Sequence, residues 1–146
     1  MAVDPLHEDV STMLRSDDHR YTIGRRRVIE VLRNSGGPIT IPEILSAGPD
    51  LAQSSVYRNL AILESVGAVT RIVTHDDHAR FELAEKLTNH HHHHLICTSC
   101  GSVDDFELSN ETESTITSDL GRVAQLANFR VDGHRLDLLG TCTACA

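Results

Sequence analysis

The four cysteines of the chain form two Cys-x-x-Cys pairs, Cys97 with Cys100 and Cys142 with Cys145, separated by residues 101–141. Each pair can present two thiolates to one metal ion. Two such pairs complete a tetrahedral four-sulfur site that suits Zn²⁺ and leaves no position open for catalysis. The spacing therefore predicts a structural zinc site that ties the end of the chain to the start of a C-terminal sheet. A redox-active pair and a set of unlinked buried thiols are the alternatives.

Five consecutive histidines occupy residues 90–94, shortly before the first cysteine pair. If the run lies in an extended strand, alternate side chains point to opposite faces, so that His92 and His94 would share one metal site while His91 and His93 share another. Imidazoles combined with carboxylates suit zinc, iron, manganese or nickel. A solvated histidine loop with weak, adventitious metal affinity is the alternative. The acids that could complete such sites are Glu82, Asp104, Asp105, Glu107, Glu111 and Glu113.

The composition is that of a soluble globular protein. The 146 residues are 40% hydrophobic and 23% charged. No apolar run approaches the roughly 18 residues that a membrane helix needs, so a membrane-spanning protein is excluded. No secretory signal is visible in the first 20 residues, and we therefore expect a cytoplasmic protein. In a reducing cytosol four cysteines seldom form disulfides, which favours metal binding or redox chemistry.

The charge of the chain is unevenly distributed. Its net value of −8 argues against indiscriminate binding to polyanions. Residues 19–33, however, carry five arginines against the single acid Glu30. A local basic patch is therefore available for contacts with phosphates.

The N-terminal half is predicted to fold as a winged helix-turn-helix. One helix begins after Thr22, which can act as its N-cap, a short helix follows with Pro42 in its first turn, and a third, amphipathic helix ends at Gly67. Two strand-like runs, residues 68–73 and 79–84, then indicate a β-hairpin. A module of this kind places its third helix in the DNA major groove. An ordinary helical subdomain with solvated arginines is the alternative.

The third of these helices has a buried side and a reading side. Val56, Leu60 and Leu63 recur on one face and are expected to pack inward. On the opposite face, Tyr57 and Arg58 are our candidates for the groove, while arginines of the basic stretch would hold phosphates. The full set of predicted DNA-binding residues is Arg20, Arg25, Arg26, Arg27, Ser54, Tyr57 and Arg58.

The C-terminal half is predicted to form a small α+β module. Ser109 or Asn110 can cap a long helix, and the segment around Gly133 suggests strands that end at the last cysteines. This half is too small to stand alone, so we expect it to depend on a metal ion or on a partner.

Several segments together resemble the ferric uptake regulator family of metal-responsive repressors, in order and over nearly the whole chain. These segments are Thr22 to Leu32, SSVYRNLAILESVGAV (54–69), RFEL (80–83), HHHLICTSCGSVDDFE (92–107) and GHRLDLLGTCTAC (133–145). The resemblance implies a homodimer with N-terminal DNA-binding domains, C-terminal dimerisation domains and a regulatory metal at the hinge between them. It also implies that the partners are an inverted-repeat DNA operator and a second copy of the chain.

The predicted fold class is thus α+β, with an N-terminal winged helix-turn-helix domain and a C-terminal α/β dimerisation domain that contains the four-cysteine zinc site. The DNA-binding domain covers residues 1–84, the hinge covers residues 85–91, and the dimerisation and metal-binding domain covers residues 92–146.

Carried over residue by residue, the resemblance assigns the regulatory metal to Glu82, His92, His94 and Asp105. The metal is expected to fix the angle between the two DNA-binding domains, so that only the closed dimer spans both half-sites. A further hinge histidine of the family would fall near Pro38, where this chain has none, and what replaces it is left open.

The resemblance also implies a second metal site, built from His91, His93 and His134. Its acid is left open between Glu111 and Glu113, because Thr112 occupies the expected position.

Fe²⁺ is the expected regulatory metal, and Zn²⁺ is the next candidate. Zinc sensors of the family commonly carry a cysteine where this chain has Ala84, and the structural site uses all four cysteines. Manganese, nickel and peroxide sensing rank lower. His75 and His78 resemble the additional histidines of nickel sensors, and Glu82 stands where peroxide sensors have an aspartate.

Two other classes of protein compete with a regulator. A zinc hydrolase built on the histidine run is disfavoured, because no HExxH motif or comparable acid-base arrangement is present. A zinc-stabilised interaction or metal-storage module would leave the basic helix and the exposed Tyr57 and Arg58 without a role. Metal-dependent binding to DNA distinguishes the regulator from both.

Overall fold

The computed structural model describes residues 2–74 and 78–146. The helices are α1 (Pro5–Arg15), α2 (Ile23–Asn34), α3 (Ile41–Ala47), α4 (Gln53–Ser65), α5 (Glu85–Thr88) and α6 (Asn110–Leu126). The strands are β1 (Ile39–Thr40), β2 (Val69–Ile72), β3 (Arg80–Leu83), β4 (His93–Cys97), β5 (Val103–Phe106) and β6 (Asp137–Gly140). None of the helices in these two ranges is long and apolar enough to cross a membrane.

Helices α2, α3 and α4 and a small sheet form the N-terminal half, and the predicted winged helix-turn-helix is confirmed. The Thr22 side chain caps α2 by accepting a hydrogen bond from the backbone N–H of Arg25. Gly67, with φ +81°, follows the end of α4 and adopts the left-handed conformation that glycine tolerates best. The core lies between α2, α4 and the sheet, and Val56, Leu60 and Leu63 of α4 are buried in it.

The N-terminal sheet has three strands in the order β1-β3-β2, with antiparallel pairing throughout. The sequence predicted only a hairpin of β2 and β3. Strand β1 adds a partner on the other side of β3, so that β3 becomes the central strand and all four of its residues are buried. The charged side chains of Arg80 and Glu82 are therefore enclosed although they alternate with apolar neighbours.

Helix α1 was not predicted from the sequence. Asp4 caps it by accepting a hydrogen bond from the backbone N–H of Leu6, and Val10 and Leu14 are fully buried against the N-terminal core. His7, one turn before Val10, is buried as well and contacts Tyr21 and Glu30. Leu6, Val10, Met13 and Leu14 recur at helical spacing, so the segment carries a signal that could have predicted the helix.

The C-terminal half has a second three-stranded sheet in the order β5-β4-β6. Strand β4 pairs with β5 in antiparallel and with β6 in parallel orientation. The predicted long helix is confirmed as α6, and of the two possible caps it is Ser109 whose side chain accepts a hydrogen bond, from the backbone N–H of Thr112. Only Ala124 of this helix is buried, so that most of its apolar residues face outward in the single chain.

Candidate metal centres and nucleic-acid interface

The C-terminal sheet brings the two cysteine pairs together. Because β4 and β6 run parallel, their carboxyl ends lie at the same edge of the sheet, and Cys97 pairs with Gly140 two residues before Cys142. The Sγ atoms of Cys100 and Cys142 lie 3.8 Å apart. Tetrahedral Zn²⁺ with Zn–S bonds of about 2.3 Å requires sulfurs about 3.8 Å apart, so the cluster fits a zinc site.

Local hydrogen bonds prepare the first of these pairs for metal. Cys97 Sγ accepts hydrogen bonds from the backbone N–H groups of Cys100 (3.5 Å) and Cys142 (3.4 Å), and these lower the pKa of Cys97 to about 6. Contacts with the sulfurs of Cys142 and Cys100 instead raise the pKa of Cys145 to about 12. The metal-free cluster thus retains protons, which metal binding would displace.

A second cluster joins the two sheets. Glu82 comes from β3 of the N-terminal sheet. His92 lies just before β4 and His94 lies in it, while Asp105 comes from β5, directly opposite His94 in the register. The Nε2 atoms of His92 and His94 lie 3.1 and 2.8 Å from the Glu82 carboxylate. They lie 3.7 and 3.5 Å from Asp105 Oδ1. We call this group of four the hinge cluster.

The donor set and spacing of the hinge cluster fit a divalent cation. Four donors at about 2.1 Å from one ion lie about 3.4 Å apart in tetrahedral geometry, close to the distances observed. Glu82 is 8% exposed, and a carboxylate this deeply buried needs a compensating positive charge. Two imidazoles and two carboxylates form a neutral complex with a divalent ion.

The pKa values of the hinge cluster show what compensates Glu82 without metal. Burial lowers the pKa of His92 and of His94, but the hydrogen bond and the charge of Glu82 outweigh burial, and both pKa values end above the ordinary histidine value. Burial, followed by the negative charge of Glu82, raises the pKa of Asp105. All three shifts favour protons on the cluster in the place that a cation would take.

A third cluster lies on the opposite face of β4. His91, His93, His134 and Glu113 bring their donor atoms within 4.8 Å of one another. Glu113 Oε2 lies 3.3 Å from the Nε2 atom of His91 and 3.4 Å from that of His134. Within the described part of the chain, this buried oxygen accepts no hydrogen bond. A buried carboxylate oxygen needs a partner, and a metal ion would supply one. We call this group the β4-α6 cluster.

The structure places only one of the two acids named for this cluster near the histidines. Glu113 contacts His93, whereas Glu111 is exposed in the first turn of α6 and belongs to no cluster of the described residues. Residues two apart on a helix point in directions about 200° apart, because each residue turns by about 100°. Only one of them can therefore face β4.

We expect Glu113→Gln to weaken metal binding at the β4-α6 cluster on the order of 100-fold, because it removes the only carboxylate of that donor set. Glu111→Gln is the matched control and should leave binding unchanged. Calorimetric titration of Zn²⁺ into protein with its four-cysteine site already filled would measure both. Equal losses of affinity in the two variants would show that Glu113 is not the specific acid ligand of this cluster.

Two acids that the sequence did not single out position the histidines. Asp137 Oδ1 on β6 lies 3.7 Å from His94 Nδ1, and Glu85 Oε2 on α5 lies 2.9 Å from His91 Nδ1. Such contacts hold a histidine with its Nε2 atom directed at a metal. Asp137 can be identified only from the strand register, which pairs it with His94.

The predicted DNA-binding residues lie on α2, on α4 and just before α2. Ser54, Tyr57 and Arg58 are exposed along one side of α4, opposite its buried residues. Tyr57 is 55% exposed, so its ring is accessible to a partner. The structure thus presents the predicted reading side to solvent.

The arginines of the basic stretch differ in their surroundings. Arg20 and Arg26 are exposed, and the Arg26 guanidinium stacks on the ring of Tyr21 at 4.8 Å. Arg25 donates a hydrogen bond to the backbone carbonyl of Arg20, and Arg27 forms an ion pair with Asp50 at 3.1 Å. A phosphate contact by Arg27 would therefore compete with this ion pair.

Of the two histidines named for a nickel sensor, the structure describes only His78. His75 lies outside the described residues. His78 is exposed, and within the ranges described it joins none of the clusters of potential metal ligands.

A winged helix joined to a small α+β half, with the four-cysteine, hinge and β4-α6 clusters of metal-type donors, defines a class: the metal-responsive DNA-binding regulators. A model of the ferric uptake regulator family matches residues 16–139. The chain therefore belongs to the ferric uptake regulator family, whose members are transcriptional regulators and not enzymes.

Known relatives agree with this assignment. The peroxide-responsive repressor PerR of Staphylococcus saprophyticus is 30% identical over 94% of this chain and 90% of its own length. The ferric uptake regulator of Vibrio cholerae is 28% identical over 90% of this chain and 98% of its own, with a TM-score of 0.68. The ferric uptake regulator of Helicobacter pylori has the same fold, with a TM-score of 0.73 at 24% identity over 99% of this chain and 94% of its own.

Proposed function

We propose that this chain is a DNA-binding repressor controlled by the metal content of its hinge cluster, with Fe²⁺ as the regulatory metal and metal uptake as the regulated process. The observation that carries the proposal is that Glu82 of the N-terminal sheet meets three donors of the C-terminal half. A divalent ion bound there would link the two halves by coordinate bonds. Glu82, His92, His94 and Asp105 then hold the DNA-binding half at one angle.

The division of labour follows the predicted domains. Residues 1–84 bind DNA, residues 85–91 form the hinge, and residues 92–146 hold the metals and the partner subunit. The four cysteines hold structural Zn²⁺, supported by their sulfur spacing, and the β4-α6 cluster holds a second ion. A regulator of this kind works in the cytoplasm, where its DNA lies and its thiols stay reduced.

Dimerisation through the C-terminal half is supported by its exposed apolar surface. On α6, Val123 is 60% and Leu126 is 84% exposed, and Phe129 beyond the helix is 70% exposed. Strand β6 lies at an edge of its sheet, and its Leu139 is 70% exposed. An uncovered apolar face beside an unpaired strand edge is unfavourable in water, and a second copy of the chain would cover both. A two-fold symmetric dimer reads an inverted-repeat operator.

Fe²⁺ is placed ahead of Zn²⁺ because the hinge cluster contains no thiolate, whereas zinc sensors of the family commonly carry a cysteine where this chain has Ala84. Two imidazoles and two carboxylates, without a thiolate, suit iron and manganese as well as zinc. Peroxide sensing is the second candidate, because relatives about 30% identical are peroxide-responsive repressors. Titration of zinc-replete regulator with Fe²⁺, Mn²⁺ and Zn²⁺, with DNA affinity measured for each metal, tests whether Fe²⁺ is the regulatory metal. Tight DNA binding with Zn²⁺ at the hinge but not with Fe²⁺ would make Zn²⁺ the regulatory metal instead.

We expect Arg58→Ala to weaken operator binding by roughly 10- to 100-fold, because a groove contact of this kind contributes about 1–3 kcal/mol. Its metal content should stay the same, since Arg58 lies on α4, away from the three clusters. Arg130→Ala, in an exposed segment after α6, is the matched control and should bind like the wild type. Anisotropy of a labelled duplex and metal analysis measure the two quantities. Equal affinities for both variants would remove Arg58 from the interface.

Metal binding at the hinge should weaken as the pH falls. Metal requires neutral imidazoles, and the raised pKa values of His92 and His94 mean that proton competition begins above the ordinary value of about 6.5. Below both pKa values, two protons must leave, and the affinity should fall by up to roughly 100-fold per pH unit. Chelator competition between about pH 6 and pH 8 measures this change. A flat profile would contradict it.

The folding stability of the metal-free protein should change with pH in the opposite direction, rising as the pH falls. A raised folded-state pKa means that protonated His92 and His94 stabilise the fold through Glu82 at acid pH. This contribution is complete below the unfolded histidine pKa and is lost as the pH rises through the folded values.

A further inference from the structure

We propose that His7 of α1 is a positioning residue for DNA binding, and that it acts through Tyr21 on Arg26. The inference rests on the proposed DNA-binding role of α2 and adds to it a buried residue that does not itself reach the DNA. It concerns a chain of side-chain contacts that begins at His7, between α1 and α2, and ends at Arg26 on the surface.

His7 is buried, and both nitrogens of its ring have partners. The residue is 6% exposed. Its Nδ1 atom lies 2.5 Å from the hydroxyl oxygen of Tyr21, two residues before α2, and its Nε2 atom contacts the carboxylate of Glu30 on α2. Because a carboxylate accepts hydrogen bonds, the proton of the neutral imidazole lies on Nε2, and Nδ1 accepts from the hydroxyl. Burial raises the pKa of Tyr21 to about 12, so the hydroxyl keeps the proton that it donates.

The ring of Tyr21 in turn lies against the guanidinium of Arg26. Arg26 Cζ is 4.8 Å from the centroid of the ring. Stacking uses the flat face of a guanidinium and leaves the N–H groups in its plane free to bind a phosphate. Arg27 is paired with Asp50, whereas Arg26 is exposed and forms no ion pair within residues 2–74 and 78–146. Its charge is therefore available to DNA.

The contact with His7 fixes the ring on which Arg26 rests. Tyr21 precedes the first residue of α2, so the hydrogen bonds of the helix do not hold it. Its hydroxyl is instead anchored to an imidazole that is enclosed between two helices. An arginine that is already ordered loses less side-chain entropy when it binds a phosphate. His7 thus favours DNA binding from beneath the surface.

Metal binding is the alternative use of the polar groups around His7. Asp4, His7 and Glu30 bring possible ligand atoms within 4.8 Å of one another. The guanidinium of Arg33, however, lies 2.7 Å from Asp4 and 3.8 Å from Glu30. A positive charge already compensates these carboxylates and would repel a cation. Metal binding would also leave the contact with Tyr21 without a role.

The test is a double-mutant cycle between His7→Phe and Arg26→Ala. DNA affinity is measured by anisotropy, with zinc-replete protein saturated with Fe²⁺ and a labelled duplex that the wild type selects from a random pool. We expect His7→Phe to weaken binding by roughly 2- to 10-fold, the scale of ordering one long side chain at an interface. In the Arg26→Ala background the same change should have no further effect, because the two residues act through one contact.

Tyr21→Phe should weaken binding as much as His7→Phe does. It keeps the ring beneath Arg26 and removes only the hydroxyl that contacts His7. The cycle run with Tyr21→Phe and Arg26→Ala therefore tests the same contact without a substitution inside α1.

Two further variants separate positioning from a general effect on the fold. Val10→Ala removes a fully buried side chain of the same helix, and it should lower the melting temperature while the folded protein binds DNA like the wild type. His7→Asn brings an amide close to the position of Nδ1, where it can again contact the Tyr21 hydroxyl. It should restore most of the affinity that His7→Phe loses.

The outcomes separate this inference from the proposed function. If His7→Phe weakens binding equally with and without Arg26, or if Val10→Ala weakens it as much, His7 only supports the fold and the inference fails. If Arg26→Ala binds like the wild type while Arg58→Ala does not, the inference fails and the proposed function stands. If the wild type selects no duplex in the presence of Fe²⁺, the proposed function itself is wrong.

Discussion

Cys142→Ser is expected to lose the structural zinc and with it the folded C-terminal half. Zinc binding by four thiolates stabilises small domains by an apparent value of about 10–16 kcal/mol, which equals or exceeds the roughly 5–15 kcal/mol that holds a whole domain folded. In this chain the zinc would tie β6 to β4, because Cys142 follows β6 by two residues and Cys97 ends β4. Without it, β6 and the surface for the partner should detach.

Thr143→Ser, between Cys142 and Cys145, is the matched control, because it alters the same loop and keeps all four sulfurs. Zinc content, thermal unfolding and sedimentation should separate the two variants, with Cys142→Ser lacking about one zinc per chain and becoming monomeric. A Cys142→Ser variant that unfolds like the wild type and remains dimeric would show that the cysteine cluster has no structural role.

His92→Ala is expected to abolish the dependence of DNA binding on metal while leaving the dimer folded. His92 lies just before β4 and contacts both Glu82 and Asp105, so its loss removes one of four donors without interrupting a strand. Shifting a conformational equilibrium from 1:99 to 99:1 needs about 5.5 kcal/mol of preferential binding. A site weakened by one ligand should no longer supply it.

His90→Ala is the matched control for this variant. His90 is exposed, contacts Glu107 and belongs to no metal-type cluster of the described residues. It should retain the wild-type response to metal in mobility-shift experiments. A wild-type response in His92→Ala would instead refute the assignment of the hinge cluster.

Much of the architecture could be predicted from local sequence signals. The N-cap Thr22, the apolar spacing of Val56, Leu60 and Leu63, and Gly67 at a helix end each act within a few residues, and the corresponding helices are present. Helix α1 was not predicted, although Leu6, Val10 and Leu14 recur at helical spacing after the N-cap Asp4; the burial of His7 is a tertiary property. Strand β1 was not predicted, because a strand of two residues is too short to show an alternating pattern of apolar and polar residues.

The donors of the three clusters could be named in advance, but their relation to one another could not. Alternation along an extended strand separated His92 and His94 from His91 and His93, and the structure shows the same separation. The choice between Glu111 and Glu113 depends on how α6 is rotated against β4, which is a tertiary property. Asp137 depends on the register of β6, which sequence spacing does not fix.

Another feature became visible only in three dimensions. Glu82 was expected in a hairpin, but its contacts with His92 and His94 of the C-terminal half bury it, which makes its carboxylate costly to leave unpaired.

The most direct test measures DNA affinity with the hinge cluster filled and vacant. Zinc-replete protein is titrated against a labelled duplex selected from a random pool in the presence of Fe²⁺, first with Fe²⁺ and then with a chelator too weak to remove the thiolate-bound zinc. The account predicts that Fe²⁺ strengthens binding within or above the range of about 5- to 150-fold that allosteric coupling usually spans, and that His92→Ala loses this gain. Equal affinity in the two conditions would contradict it.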